Sequence, residues 1–135
     1  MGQPTSPGSP YVLVADDDAL TLRSVSIILR SAGLRVVAVK DGAAALTQLR
    51  REKPRVAVFD VMMGSMSGLD LCRLIKSDDE LRDVHVILLT ARAMQRERTE
   101  GLAAGADDYI SKPFSNRELL SRVQSALPAA PPVPP

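Results

Sequence analysis

Tyr11-Val-Leu-Val-Ala-Asp16-Asp17-Asp18 sets the reading of the whole chain. An apolar run without alternation breaks abruptly into three acids. A strand with one wet face alternates, whereas a strand buried on both faces does not. The run therefore reads as an inner strand of a parallel sheet, and the acids as its carboxyl end. Four further runs repeat the pattern: Arg35-Val-Val-Ala-Val39, Val56-Ala-Val-Phe59, Val84-His-Val-Ile-Leu-Leu89 and a weaker one at Tyr109-Ile110. Between them the apolar period lengthens to 3.6. Leu22, Val25, Ile28 and Leu29 line a first helix that Gly33 stops. A second spans Ala43 to Arg51, and Leu69, Leu71, Cys72 and Ile75 mark a third. Met94 to Ala104 gives a fourth, closed by Gly105. Leu119, Leu120, Val123 and Leu127 give a fifth, with Ser115 as N-cap and Glu118 at the capping-box position. Five strand-then-helix units predict an α/β fold, a doubly wound parallel sheet with helices on both faces.

Composition narrows the function classes. The chain has 135 residues, with 17 Lys+Arg against 16 Asp+Glu, a net charge of +1. That balance argues against a strongly basic nucleic-acid surface, and no basic stripe is interleaved with aromatics. No apolar stretch is long enough to span a membrane, and no secretion signal is evident, so a cytoplasmic setting is expected. The single cysteine, Cys72, can form neither an internal disulfide nor a cysteine-based zinc site. Residues 1–10 and 128–135 are rich in Pro, Gly, Ser and Ala and read as a disordered tail and a Pro-rich tail or linker. One structured unit, residues 11–127, remains between them.

In open α/β sheets, ligands bind beyond the carboxyl ends of the strands. Asp16, Asp17 and Asp18 follow the first strand, Asp60 the third, Thr90 the fourth, and Lys112-Pro113 the fifth. Carboxylates gathered at one spot repel, and an oxygen-rich acidic cluster suits Mg²⁺. Asp18 also reads as the N-cap of the first helix. A carboxylate beside such an ion, with one oxygen free, can attack phosphorus. A hydroxyl and a compact ammonium can then stabilise charge on a phosphoryl group in transfer, which fits Thr90 and Lys112. His85, the only histidine, lies at the start of a strand and reads as structural. Gly64-Ser-Met-Ser-Gly68 has nucleophile-elbow glycine spacing, but Met66 stands where a serine is required.

Val12-Leu-Val-Ala-Asp16-Asp17-Asp18, Phe59-Asp60-Val-Met-Met63-Gly-Ser-Met66-Ser-Gly68, Leu89-Thr90-Ala91 and Gly105-Ala-Asp-Asp-Tyr109-Ile-Ser-Lys112-Pro113-Phe114 together resemble the receiver domain of bacterial two-component response regulators. The resemblance covers about Tyr11 to Leu127. It implies a flavodoxin-like (βα)5 fold with strand order 2-1-3-4-5. It also implies that Asp60 accepts a phosphoryl group from a sensor histidine kinase or phosphotransfer protein. Asp16, Asp17, Asp60 and the backbone carbonyl of Met62 would hold Mg²⁺, with Mn²⁺ able to substitute. Thr90, Ala91 and Tyr109 would form the switch, and Pro113 would follow a cis peptide bond. Met62 and Arg92 would flank the path of the hydrolytic water. The family usually has Pro where Gly64 stands. Arg98, Asp107, Asp108, Glu118 and Arg122 resemble a chain of ion pairs on the fourth-helix, fifth-strand, fifth-helix face, a candidate homodimer or effector face. Ala129 stands where a further arginine is usual.

Two other readings stand beside this one. Asp16-x-Asp18 resembles the signature of aspartate-nucleophile phosphatases, although Leu20 stands where Thr or Val is expected and the length leaves no room for a cap domain. A phosphorylation-independent interaction module on the same fold is the other, and the complete set of Asp16, Asp17, Asp60, Thr90 and Lys112 argues against it.

Overall fold

The structure, a computed structural model, describes residues 10–64, 66–91 and 104–127. Its elements run β1 (Val12–Ala15), α1 (Ala19–Ser31), β2 (Val36–Val39), α2 (Gly42–Arg51), β3 (Val56–Asp60), α3 (Gly68–Ser77), β4 (His85–Ala91), β5 (Asp108–Lys112) and α4 (Asn116–Ala126). The strands form one sheet in the order β2-β1-β3-β4-β5. Every pairing is parallel. The expected fourth helix, Met94 to Ala104, lies outside the described residues except for Ala104, which is helical and is followed by Gly105 at φ 90°.

The period-2 geometry of strands sorts the apolar runs onto two faces. Leu13, Ala15, Ala57, Phe59, Val86 and Leu88 meet Ala45 and Leu49 of α2 and Leu71, Cys72 and Ile75 of α3. Val12, Val14, Val58, Ile87 and Leu89 meet Val25 and Leu29 of α1 and Leu119 and Val123 of α4. Burying each of the larger side chains, Val, Leu, Ile or Phe, stabilises the fold by about 1.5–3 kcal/mol before conformational entropy is subtracted. That sandwich makes the strand ends rigid, which matters because the functional side chains stand on those ends.

Polar caps fix where the helices begin. Asp18 caps α1, its carboxylate accepting the Thr21 amide and hydroxyl. Asp41 caps α2 and accepts the Ala44 amide at 2.7 Å. Ser115 caps α4 as expected, but the full capping box forms elsewhere. Ser67 and Asp70 of α3 exchange both bonds, at 3.1 and 3.2 Å. Glu118 instead approaches Arg122, at 4.0 Å, one turn along the same helix. At the opposite end of the sheet Arg35 holds Glu52 through two 2.7 Å bonds and stacks 4.8 Å from the Tyr11 ring.

Candidate functional site

β1 delivers Asp16 to the rim directly. Its amide bonds the Val39 carbonyl of the neighbouring strand at 3.2 Å, extending the sheet by one residue. Asp60 is the last residue of β3 and pairs in register with Leu89. Thr90 follows Leu89 on β4 and is buried. Lys112 ends β5, beside Ala91. Four strands thus bring their chemistry to one edge, because the register is parallel and unshifted.

Asp16, Asp17 and Asp60 offer carboxylate oxygens that all lie within 4.8 Å of one another. Asp16 and Asp60 are buried, and Asp17 faces solvent. Lys112 Nζ stands 3.3 Å from Asp60 Oδ1 and 3.5 Å from Asp16 Oδ2. Asp16 Oδ1 accepts the Asp18 amide at 2.9 Å. Its Oδ2 is buried with no hydrogen-bond partner, so the 3.5 Å approach of Lys112 is an ion-pair contact rather than a formed hydrogen bond. A buried carboxylate oxygen with no donor is costly unless a cation meets it. The donor set therefore fits a hard divalent ion with oxygen ligands.

Electrostatics say the same. Burial drives the Asp16 carboxyl up to about 6; the Asp18 amide opposes the rise, the Asp60 charge adds to it, and Lys112 opposes it again. Burial also raises the Asp60 carboxyl, against the Lys112 ammonium and the Met62 backbone amide. Two acids held above their ordinary range at one spot mark a site built for positive charge.

The other expected residues divide clearly. Met62 is 67% exposed, and its backbone amide is the part that bears on Asp60. The Lys112–Pro113 bond is cis. Tyr109 is half-buried, packed against the core on the α2–α3 side of the sheet. Ala91 is exposed at the end of β4. Arg92 and Arg98 lie outside the described residues. Gly64 adopts φ 43°, a left-handed value closed to the proline usual there. Asp18 is occupied as the α1 cap, so the second acid of an Asp-x-Asp phosphatase signature is committed to the helix, while the clustered acids are Asp16, Asp17 and Asp60.

The described candidate dimer residues find partners within the chain. Asp107 Oδ2 accepts Lys76 Nζ at 2.7 Å and the Val86 amide at 2.8 Å. Lys76 Nζ donates further to the carbonyls of Val84 and Arg82. Asp107 thus bridges α3, β4 and the start of β5 from an exposed position. Arg122 pairs with Asp108. Lys76, whose partner is 31 positions away, passed unremarked in the sequence; Gly68, noted there only for glycine spacing and as the end of a motif, has a packing role, since a Cβ would lie 2.4 Å from the Asp60 carbonyl oxygen.

Comparison with known proteins agrees. The response regulator receiver domain model matches residues 12–124. The DNA-binding response regulator MtrA of Mycobacterium tuberculosis is 39% identical over 116 residues, covering 86% of this chain and 50% of that protein. The probable transcriptional regulatory protein TcrX of the same organism is 40% identical over 126 residues, covering 93% and 51%. The chain spans about half the length of these curated relatives. Among solved structures, the BeF3-activated DrrB receiver domain matches at TM-score 0.77 and 38% identity, over 86% of this chain and 95% of that one. The receiver domain of sensor histidine kinase PA1611 from Pseudomonas aeruginosa, solved with a magnesium ion in its active site cleft, matches at TM-score 0.79 and 32% identity, over 86% and 95%. Sheet order, acidic rim, opposing lysine and sequence kinship converge, and the chain belongs to the response regulator receiver domain family.

Proposed function

We propose that residues 11–127 act as a phosphoacceptor switch of a two-component system, with Asp60 as the acceptor. The observation that carries this reading is the convergence of Asp16, Asp17 and Asp60 opposite the Lys112 ammonium. An Asp60 oxygen attacks the phosphorus of a phosphohistidine on a sensor kinase or phosphotransfer protein. The new O–P bond forms as the P–N bond breaks, and the imidazole leaves with the electron pair. Mg²⁺, held by Asp16, Asp17, Asp60 and the Met62 carbonyl, would supply charge neutralisation for the incoming phosphoryl oxygens. Lys112 would meet the same oxygens with its ammonium, and Thr90 would donate a hydrogen bond to them. Drawing Thr90 and Lys112 onto the phosphoryl group frees space for Tyr109 and shifts the surface that carries Glu118 and Arg122.

The role is regulatory rather than metabolic, with the transfer and a slow hydrolysis promoted by the chain's own residues. Residues 1–10 and 128–135 are read as tails or linkers, and the setting as cytoplasmic. The described helices contain no membrane span. The DNA binding in the name of MtrA belongs to that longer protein; no nucleic-acid contact is proposed for the receiver unit. Glu118 and Arg122 are the described residues of the expected output face best placed to meet a second copy or an effector, and sedimentation with and without beryllofluoride reads this. Acetyl phosphate with Mg²⁺ should label the wild type, and Asp60→Asn should abolish the label. A label that survives the substitution refutes the assignment.

A further inference from the structure

We infer that Gly42, which belongs to none of the acidic or switch motifs, is a positioning residue that holds the loop beyond Asp60 through Met66; this rests on the phosphoacceptor reading above. Gly42 is buried at the first position of α2. It is not among the glycines with positive φ, so its backbone does not require glycine. Alanine is the better helix former, so helix formation does not require it either. The contact does. A Cβ at Gly42 would lie 2.6 Å from Met66 Cβ, 2.9 Å from the Met66 carbonyl oxygen and 3.0 Å from Met66 Cγ. Two of those atoms are held close to the backbone, so a rotamer change of Met66 does not relieve the collision.

Neither side of the contact is free to retreat. Ala45 and Leu49 anchor α2 in the core, and Asp41 caps its first turn. Two residues after Met66, Gly68 backs onto the acceptor itself: a Cβ there would meet the Asp60 carbonyl oxygen at 2.4 Å and carbon at 3.0 Å. The Gly68 amide donates to the Val61 carbonyl at 3.1 Å, closing the loop on the residue after Asp60. Inside this loop, the Met62 backbone amide lies close enough to the Asp60 carboxyl to oppose the rise that burial causes. A displacement at Met66 therefore reaches the Asp60 carboxylate and the Met62 backbone through a short, closed ring of chain.

The test is Gly42→Ala in the full chain, with Mg²⁺ affinity by calorimetry and exchange of the Val61 and Met62 amides measured well below the melting temperature. Mg²⁺ binding should weaken about tenfold, as when support behind a metal ligand is lost, and both amides should exchange faster. Gly42→Ala/Met66→Gly, which removes the Cβ and Cγ that collide, should bind Mg²⁺ more tightly than Gly42→Ala alone. A general packing fault would instead compound. Met66→Ala shortens the gripped side chain without adding an atom, and should weaken Mg²⁺ in the same direction if Gly42→Ala does not fold. Mg²⁺ affinity within about twofold of wild type in the folded variants overturns the inference. A wild type that neither binds Mg²⁺ nor takes label from acetyl phosphate overturns the phosphoacceptor reading itself.

Discussion

Asp16 and Asp60 face a single ammonium: Lys112 Nζ lies 3.5 Å from one carboxylate and 3.3 Å from the other. One positive charge serves two buried negatives, so the metal-free site is under-neutralised. Lys112 also competes with a bound cation for the same oxygens. Lys112→Ala should therefore have opposite effects on two measurements. Mg²⁺ affinity, by calorimetry, should rise about threefold as a like charge leaves. Labelling by acetyl phosphate should fall roughly 10²-fold, because a fixed cation aimed at the transferring phosphoryl is lost. A parallel fall in both would indicate damage to the fold instead.

The Asp16 carboxyl, raised to about 6 by burial, gives a pH signature with a definite sign. Between the unfolded value and about 6, the folded chain binds more protons than the unfolded one. The metal-free stability from this group is complete below the unfolded value and is lost as pH rises through about 6. Urea denaturation in EDTA should show stability falling across that window. Asp16→Asn should flatten the fall and stabilise the metal-free protein at pH 7.5 by about 1–3 kcal/mol. Mg²⁺ should protect the wild type more at pH 7.5 than at pH 5. Unchanged stability of Asp16→Asn at pH 7.5 would remove the case for an uncompensated carboxylate.

Asp107 tests how much an exposed residue contributes when it bridges two elements. Its carboxylate joins Lys76 to the Val86 amide at 2.7 and 2.8 Å. Asp107→Ala leaves an amide of β4 and a half-buried ammonium short of a partner. The expected loss is about 1–3 kcal/mol in urea denaturation. Glu118→Ala, which gives up only an exposed i,i+4 contact at 4.0 Å, should cost about 0.5 kcal/mol or less. Equal costs would contradict the bridging role.

The inner strands were legible because Val12 to Ala15 and Val56 to Phe59 are buried on both faces, and that burial is written as unbroken apolar runs. The site was legible for the same reason: a parallel sheet takes whatever ends each run to one rim. Local chemistry did not discriminate between Ser67-x-x-Asp70 and Ser115-x-x-Glu118, which both satisfy the capping-box pattern. Asp70 closes the box, while Glu118 lies near Arg122 one turn on. The bridging role of Asp107 depends on Lys76, and the need for glycine at Gly68 depends on the Asp60 peptide lying against it. The first is a contact across 31 positions, and the second is a matter of how the loop folds back, which residue identity alone does not state.

Gly64 offers the clearest separation of conformation from contact. It sits at φ 43°, and a Cβ there would meet nothing within 4 Å. Any cost of substitution is therefore backbone strain alone. Gly64→Ala should destabilise by about 1 kcal/mol, the ordinary penalty for a left-handed non-glycine residue. Gly64→Asn should cost less, because asparagine tolerates that region. Gly64→Pro should cost the most, since proline is locked near φ −65° and the loop must refold around it. Thermal denaturation of the three variants should rank them Asn, Ala, Pro in falling stability. If Pro proved as stable as wild type, the left-handed turn at Gly64 would not be the conformation the loop prefers in solution.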